Sequence, residues 1–226
     1  DFGIAFDGDG DRIGAIDGQG RVIWGDQILS ILAESVLQQE PGATIIADVK
    51  ASQALYDRIA ELGGQPLMWK TGHSLIKTKM KLEKALLAGE MSGHMFFADR
   101  YPGYDDAIYA TVRLLEIVTH SGKSLRELLA DVPVTFTTPE LRVDCPDALK
   151  FEVVRRVQAH YRPTHPVLDI DGARIGFGEG AWGLCRASNT QPVLVLRFEA
   201  LTEARRDAIR AEVEATVAEA VQKAGE

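Results

Sequence analysis

Three carboxylates stand at alternate positions, Asp7, Asp9 and Asp11, separated by Gly8 and Gly10 and followed at once by Arg12. Such a run converges on one point only through a tight turn, which glycine permits because it adopts backbone angles that other residues avoid. Anionic oxygens held that close repel one another unless a cation lies among them. A hard divalent ion such as Mg²⁺ matches an all-oxygen ligand set. Arg12 adds a second positive charge, and a metal beside an arginine suits a phosphate ester. An EF-hand calcium loop needs Gly at its sixth position and Glu at its twelfth, where this chain has Arg12 and Gly18. A solvated Asp/Gly turn is the plain alternative. The apolar flanks, Phe2, Ile4, Ala5 and Phe6 before and Ile13, Ala15 and Ile16 after, predict two strands holding a buried functional loop at a sheet end.

Three further loops carry polar groups in useful combinations. In Gly89-Glu90-Met91-Ser92-Gly93-His94, an extended backbone points Glu90 and Ser92 the same way, a carboxylate and a hydroxyl suited to two adjacent sugar hydroxyls. Arg186-Ala187-Ser188-Asn189-Thr190-Gln191-Pro192 joins two strong strands and offers a guanidinium, two hydroxyls, an amide and backbone N–H groups, a donor set that can surround a phosphate. Trp69-Lys70-Thr71-Gly72-His73 leaves a strand end, and His73 has the chemistry to contact phosphate or move a proton. Lys50, after Ala47-Asp48-Val49, is equally ambiguous by itself, a strand-end lysine being usually solvated.

The elements that must position these loops follow from apolar spacing. Asp26 is placed to cap a helix with Ile28, Leu29, Ile31, Leu32, Val36 and Leu37, stopped by Pro41-Gly42. Residues 44–47 and 66–69 read as strands around a helix capped by Ser52 and ended by Gly63-Gly64. A basic helix runs from Ser74 through Lys84, with Leu75, Ile76, Met80 and Leu82 as inward positions. Short strands follow at 86–88 and 95–97. Asp105 or Asp106 opens a helix carrying Ile108, Val112, Leu115 and Val118, and a short helix covers 125–129. This alternation predicts a parallel-sheet α/β domain with its functional loops at strand C-terminal ends. Past a boundary near Val132-Pro133 the order changes: strands at 140–144, 167–170, 173–177, 182–186 and 193–199, with helices over 147–160 and from Thr202 to Lys223, predict a smaller α+β domain. The last helix carries an Ile209, Val213, Val217, Val221 stripe.

The 226 residues are 46% hydrophobic and 26% charged, with a formal net charge of -8. That balance predicts a soluble globular protein without a general nucleic-acid surface. No apolar run reaches the ~20 residues of a membrane span. Only Cys145 and Cys185 are present, so a disulfide framework is not expected and a cytoplasmic location is. The chain opens without Met inside a strand pattern, which reads as part of a longer protein.

Taken together, DGDGDR at 7–12, ADVK at 47–50, WKTGHSLIK at 69–77, GEMSGH at 89–94 and RASNTQP at 186–192 resemble the α-D-phosphohexomutases, most closely their bacterial phosphomannomutase/phosphoglucomutase group. The motifs occur in the family's order across almost the whole chain. The resemblance implies a four-domain fold around a deep cleft, of which residues 1–20 end the second domain, 21–132 form the third and 133–226 the fourth. It implies Mg²⁺ on Asp7, Asp9 and Asp11, with Arg12 facing the reacting phosphate and His94 near the phosphoryl-transfer centre. Glu90 and Ser92 would read sugar hydroxyls. Arg186, Ser188, Asn189 and Thr190 would grip the phosphate that is not transferred. Lys50 and His73 match substrate-contacting cleft residues. The implied activity is an intramolecular phosphotransferase that interconverts hexose 1-phosphate and hexose 6-phosphate of glucose and mannose, through a phosphoserine and glucose 1,6-bisphosphate as intermediate.

The family's phosphoserine loop, of the Thr-Ala-Ser-His-Asn-Pro type, does not occur in these residues. The expectation is therefore that the chain needs the N-terminal domains of the same protein, binds hexose phosphate weakly alone and has no turnover. The alternatives are a phosphosugar-binding module without catalysis and an interaction protein with a structural Ca²⁺ loop at 7–11.

Overall fold

The computed structural model describes residues 1–225, which separate into two compact units, Asp1–Pro133 and a second from Val134 onward. In the first, β1 (Gly3–Phe6) and β2 (Ile13–Ile16) pair antiparallel, Phe6 opposite Ile13, so the acidic loop 7–12 closes the hairpin. β3 (Val22–Ile23), which the sequence did not predict, adds to β2. Only one side of this ribbon is packed: Ile13 and Ala15 enter the core, whereas Phe6 and Ile16 stay exposed.

The remainder of this unit alternates as expected: α1 (Gly25–Gln39), β4 (Thr44–Asp48), α2 (Gln53–Glu61), β5 (Gln65–Trp69), α3 (His73–Glu83), β6 (Leu87–Gly89), β7 (Met95–Phe97), α4 (Ala107–Ser121) and α5 (Leu125–Leu128). The sheet order is β5-β4-β6-β7. β4 runs parallel to β5 and β6, but β7 is antiparallel to β6, so the sheet is mixed rather than wholly parallel. The reason is length: residues 90–94 are too few for a crossover and form a hairpin. Alternation along β4 builds two cores. Ile45 and Ala47 join residues of α1, α2 and α4 on one face, and Ile46 joins Ile76 and Met80 of α3 on the other.

Several expected details are replaced. Asp26 does not cap α1 but lies inside it, accepting from the N–H groups of Gln27 and of Ser52, both at 3.0 Å; Gln27 Oε1 instead accepts from the Trp24 N–H at the helix entrance. Leu75 and Leu82 of α3 face outward, since Ile76 and Met80 already fill the inward line. On α4 the exposed side carries Ile108, Val112 and Leu115, and the buried line is Ala107, Ala110 and Leu114. Val118, the fourth apolar residue named on this helix, packs on the core.

The second unit is an antiparallel sheet covered by two helices. β8 (Phe136–Thr137), absent from the sequence expectation, precedes β9 (Leu141–Asp144), α6 (Lys150–Tyr161), β10 (Val167–Leu168), β11 (Ala173–Gly176), β12 (Trp182–Ala187), β13 (Val193–Ala200) and α7 (Glu203–Gly225). The sheet runs β10-β11-β12-β13, and β13 pairs with β9 near its start and with β8 at its end. Val153, Val157 and Tyr161 of α6 pack with Ile209, Val213 and Val217 of α7 against Cys185, Leu194, Leu196 and Phe198. α6 begins three residues later than expected, because 147–149 form a turn on the Pro146 carbonyl. Cys145 and Cys185 are free and buried, and burial pushes the Cys185 thiol up to about 12, so it stays protonated at neutral pH. Among the described residues no helix is long and apolar enough to cross a membrane.

Candidate functional site

In the first unit, the loops singled out in the sequence are tied to one another by hydrogen bonds. The acidic loop meets the 89–94 loop through an antiparallel backbone β-bridge between Arg12 and His94, with the Ile13 N–H donating to the Gly93 carbonyl at 3.1 Å. It meets the start of α4 through the Ala107 N–H and the Gly10 carbonyl, 3.2 Å apart. The Asp48 carboxylate, at the end of β4, accepts from the Met91 N–H at 3.2 Å and from Thr71 Oγ1 at 3.3 Å. Glu90 Oε1 accepts from the Gly72 N–H at 2.6 Å. Strand ends β4, β5 and β6 thus deliver their loops to one place, as parallel strands do.

The acidic loop has the donor set for a hard cation. Asp7, Asp9 and Asp11 each offer an oxygen within 4.8 Å of the others. Asp11 Oδ1 is buried and meets no hydrogen-bond donor among the described residues, an oxygen that a cation would satisfy. Burial raises the Asp11 carboxyl above its ordinary range; His94 opposes this, and the charges of Asp9 and Asp7 add to it. Of the two glycines expected to make the turn, only Gly10 has a left-handed backbone, at φ 74°. Arg12 differs from expectation. Its Nε lies 2.5 Å from Asp7 Oδ2 and its backbone N–H donates to Asp7 Oδ1 at 3.1 Å. Partial burial works to raise the Asp7 carboxyl, but the Arg12 hydrogen bonds outweigh it and hold the group at about 2.

His94 sits among carboxylates. Its Nδ1 is 3.1 Å from Asp105 Oδ2 and 3.7 Å from Asp11 Oδ2, and its Nε2 is 3.9 Å from Glu90 Oε2. His73 stacks on it with ring centroids 5.9 Å apart and is half exposed. Lys77, one turn along α3, reaches both His73 Nδ1 at 3.1 Å and Asp105 Oδ1 at 3.0 Å. Burial works to raise the Asp105 carboxyl, yet the Lys77 ammonium prevails and the group sits below the usual carboxylate range. Asp11, His94 and Asp105 also form a second set of potential ligands sharing Asp11 with the first. That mixed nitrogen and oxygen set suits a softer ion than Mg²⁺.

Glu90 and Ser92 are adjacent, with the Ser92 hydroxyl 3.4 Å from Glu90 Oε2, but residues 91–92 form a turn rather than an extended segment. Glu90 is also buried, and one of its oxygens already serves Gly72. Lys50, ambiguous in the sequence, is buried with its Nζ 3.8 Å from Asp48 Oδ2. Asp48 and Asp105 were not singled out in the sequence; their signals, an acid before the strand-end lysine and the first of an Asp-Asp pair, read there as a strand residue and a helix opener.

In the second unit, several polar groups of the β12–β13 loop are engaged in hydrogen bonds. Arg186 Nε donates to Asp171 Oδ2 at 3.0 Å. Ser188 Oγ accepts from the Thr190 and Gln191 N–H groups at 3.4 and 3.2 Å, so those donors are engaged. Gln191, to which no contact was assigned, accepts through Oε1 from Arg142 Nη1 at 2.9 Å.

Two family models divide the chain along similar lines. "Phosphoglucomutase/phosphomannomutase, alpha/beta/alpha domain III" matches residues 24–136, and "Phosphoglucomutase/phosphomannomutase, C-terminal domain" matches residues 140–216. The chain belongs to the phosphoglucomutase/phosphomannomutase family. A phosphomannomutase/phosphoglucomutase of Pseudomonas syringae pv. tomato is 48% identical over 211 residues, covering 93% of this chain and 45% of that protein. A phosphoglucomutase of Neisseria gonorrhoeae is 44% identical over 220 residues, covering 96% of this chain and 47% of that protein. The crystal structure of a phosphoglucomutase/phosphomannomutase family protein from Burkholderia thailandensis superposes with a TM-score of 0.86 at 42% identity, over 100% of this chain and 47% of that one. The chain thus spans about half the length of the family members it matches.

Proposed function

We propose that this chain is the metal-, sugar- and phosphate-binding half of a cytoplasmic phosphohexomutase, which interconverts the 1- and 6-phosphates of glucose and mannose through a phosphoserine and a hexose 1,6-bisphosphate. The observation that carries the reading is the junction in the first unit, where the bridge between Arg12 and His94 and the Gly72–Glu90 hydrogen bond join three loops of different chemistry. A solvated turn needs no such ties.

Asp7, Asp9 and Asp11 hold Mg²⁺, and Asp11 Oδ1 supports this by being buried without a donor. Bound there, the ion supplies neutralisation of charge on a moving phosphoryl group. Arg12 exchanges its bond to Asp7 for one to the phosphate, a bidentate partner for a guanidinium. His94 accepts or returns the proton of the attacking sugar hydroxyl, with Asp105 against its Nδ1 leaving Nε2 for that task. His73 and Lys50 contact the substrate, and Ser92 and Glu90 bind sugar hydroxyls. In the second unit, Arg186, Ser188, Asn189 and Thr190 hold the phosphate that is not transferred. The phosphoserine comes from the part of the family's length that this chain does not span.

Calorimetric titration with glucose 1-phosphate and mannose 1-phosphate, with Arg186→Ala as control, tests the reading. Weak binding of both that the variant loses, with turnover appearing only when a segment carrying the serine is supplied, is the expected result. Binding that stays without turnover even then would make this a phosphosugar-binding module. A folded chain that binds neither sugar phosphate would end the proposal.

A further inference from the structure

Lys150 stands where two physical preferences oppose it. It is the first residue of α6, where the helix dipole disfavours a cation. It is also 5% exposed, and a buried ammonium is costly unless all three of its donors are satisfied. They are satisfied: Nζ donates to the Ser188 carbonyl at 2.6 Å and to the Gln191 carbonyl at 3.3 Å, and lies 2.7 Å from Asp147 Oδ1. Two of these three acceptors are backbone carbonyls of a single loop, the one between β12 and β13.

The consequence for that loop follows from peptide geometry. In a trans peptide the N–H points opposite to the preceding C=O, and the chain has no cis peptide. Drawing the Ser188 carbonyl onto Lys150 therefore turns the Asn189 N–H away from it. That N–H has no hydrogen-bond partner among the described residues, whereas Thr190 and Gln191 donate to Ser188 Oγ. A loop with two carbonyls drawn to one side and an N–H turned to the other is arranged for an anion.

We propose that Lys150 is the positioning residue of this loop: it fixes the 188–191 backbone in its anion-binding form, without touching the ligand. This rests on the reading of residues 186–190 as a phosphate grip.

The test is amide hydrogen exchange and amide chemical shifts of the 226-residue chain during titration with glucose 1-phosphate, for the natural sequence, Lys150→Met, Lys150→Gln and Arg186→Ala. In Lys150→Met, exchange at Asn189, Thr190 and Gln191 should rise by about tenfold or more while the amides of β12 and β13 keep their protection. Affinity should fall by about tenfold or more, the scale of lost charge-assisted hydrogen bonds. Lys150→Gln keeps two donors without the charge, so it should give a smaller rise in exchange, and it decides the matter if Lys150→Met does not fold. Arg186→Ala should abolish binding and leave loop exchange unchanged. Unchanged loop exchange in both Lys150 variants overturns the proposal, as does equal loosening of β12, β13 and α6. Binding lost in Arg186→Ala but intact in Lys150→Met also overturns it while leaving the phosphate reading in place. Loosened loop amides in a chain whose natural form ignores glucose 1-phosphate uphold the control of the loop by Lys150 and overturn the phosphate reading instead.

Discussion

Arg12 Nε lies 2.5 Å from Asp7 Oδ2, so the first carboxylate of the acidic loop is already neutralised by the residue that closes the loop. A cation entering at Asp7, Asp9 and Asp11 competes with this guanidinium for one of its ligands. Arg12→Ala frees Asp7 and removes a positive charge from beside the site. Mg²⁺ affinity, measured calorimetrically, should rise severalfold in this variant, while its response to glucose 1-phosphate falls. Asp11→Asn should abolish the Mg²⁺ response. An Arg12→Ala chain with unchanged Mg²⁺ affinity would show that the pair does not compete with the ion.

The hydrogen bond from Gly72 to Glu90 joins the start of α3, which carries His73, to the 89–94 loop. Glu90 is buried, so Glu90→Ala leaves the Gly72 N–H without an acceptor, at a cost of about 1–3 kcal/mol. Glu90→Gln keeps an acceptor in the same place. Urea denaturation should therefore show a lowered midpoint for Glu90→Ala and a midpoint near the natural value for Glu90→Gln, while both weaken sugar-phosphate binding. Equal loss of stability in the two variants would mean that the charge, not the tie to Gly72, is what matters.

Much of this arrangement was legible in the sequence, and the failures have physical causes. The acidic loop, the 89–94 loop and the 186–192 loop announce themselves because glycine and polar residues interrupt strong apolar runs. Asp48 and Asp105 did not, because one acid at a strand end or helix start has an ordinary local explanation, and only the fold brings Asp105 beside His94 and Lys77. The buried face of α4 was not legible for a different reason. Ile108, Val112 and Leu115 form a good apolar line, but the core takes the neighbouring line of Ala107, Ala110 and Leu114, whose small residues allow close packing. Arg113 enters with them because Asp99 pairs with it at 2.9 Å and the Phe97 ring lies under its guanidinium at 4.6 Å. Periodicity gives the angle of a stripe on a helix, not which of two adjacent stripes meets the sheet.

Asp17 sets an acid limit on the first unit. The Arg21 N–H, 3.0 Å away, is the main cause of its depressed pKa; burial opposes this, and the Gln19 N–H at 2.9 Å reinforces it. A carboxyl whose pKa is lower in the folded state stabilises the fold above its unfolded pKa, and that contribution is lost as pH falls through the folded value. The window lies below about pH 4, the ordinary range of an aspartate. The urea midpoint of the natural chain should fall across it, and Asp17→Asn, already less stable at neutral pH, should show a shallower fall. Parallel acid limbs in the two chains would assign the loss to other carboxylates.

Gly25 is where the helix that begins the α/β unit touches the 89–94 loop. A Cβ built on it would stand 2.6 Å from both the Glu90 and Met91 carbonyl oxygens, closer than real Cβ contacts come. The neighbours it meets are backbone, which cannot swing aside as a flexible side chain would. Gly25→Ala must therefore move either α1 or the 90–91 turn. α1 is held by Ile28, Leu29, Ile31 and Leu32, all buried, whereas the turn is a short hairpin connection, so the turn should give way. The expected result is a stability loss in the range of overpacked sites, about 1–3 kcal/mol, together with weaker Mg²⁺ and sugar-phosphate responses, because the 89–94 loop also carries the bridge from His94 to Arg12. Amide shifts should change first at Glu90, Met91 and Gly93 and hardly at all along β4. If the shifts centre on α1 and both ligand responses survive, the helix has moved instead, and the loop is anchored more firmly by Asp48 and Gly72 than its length implies.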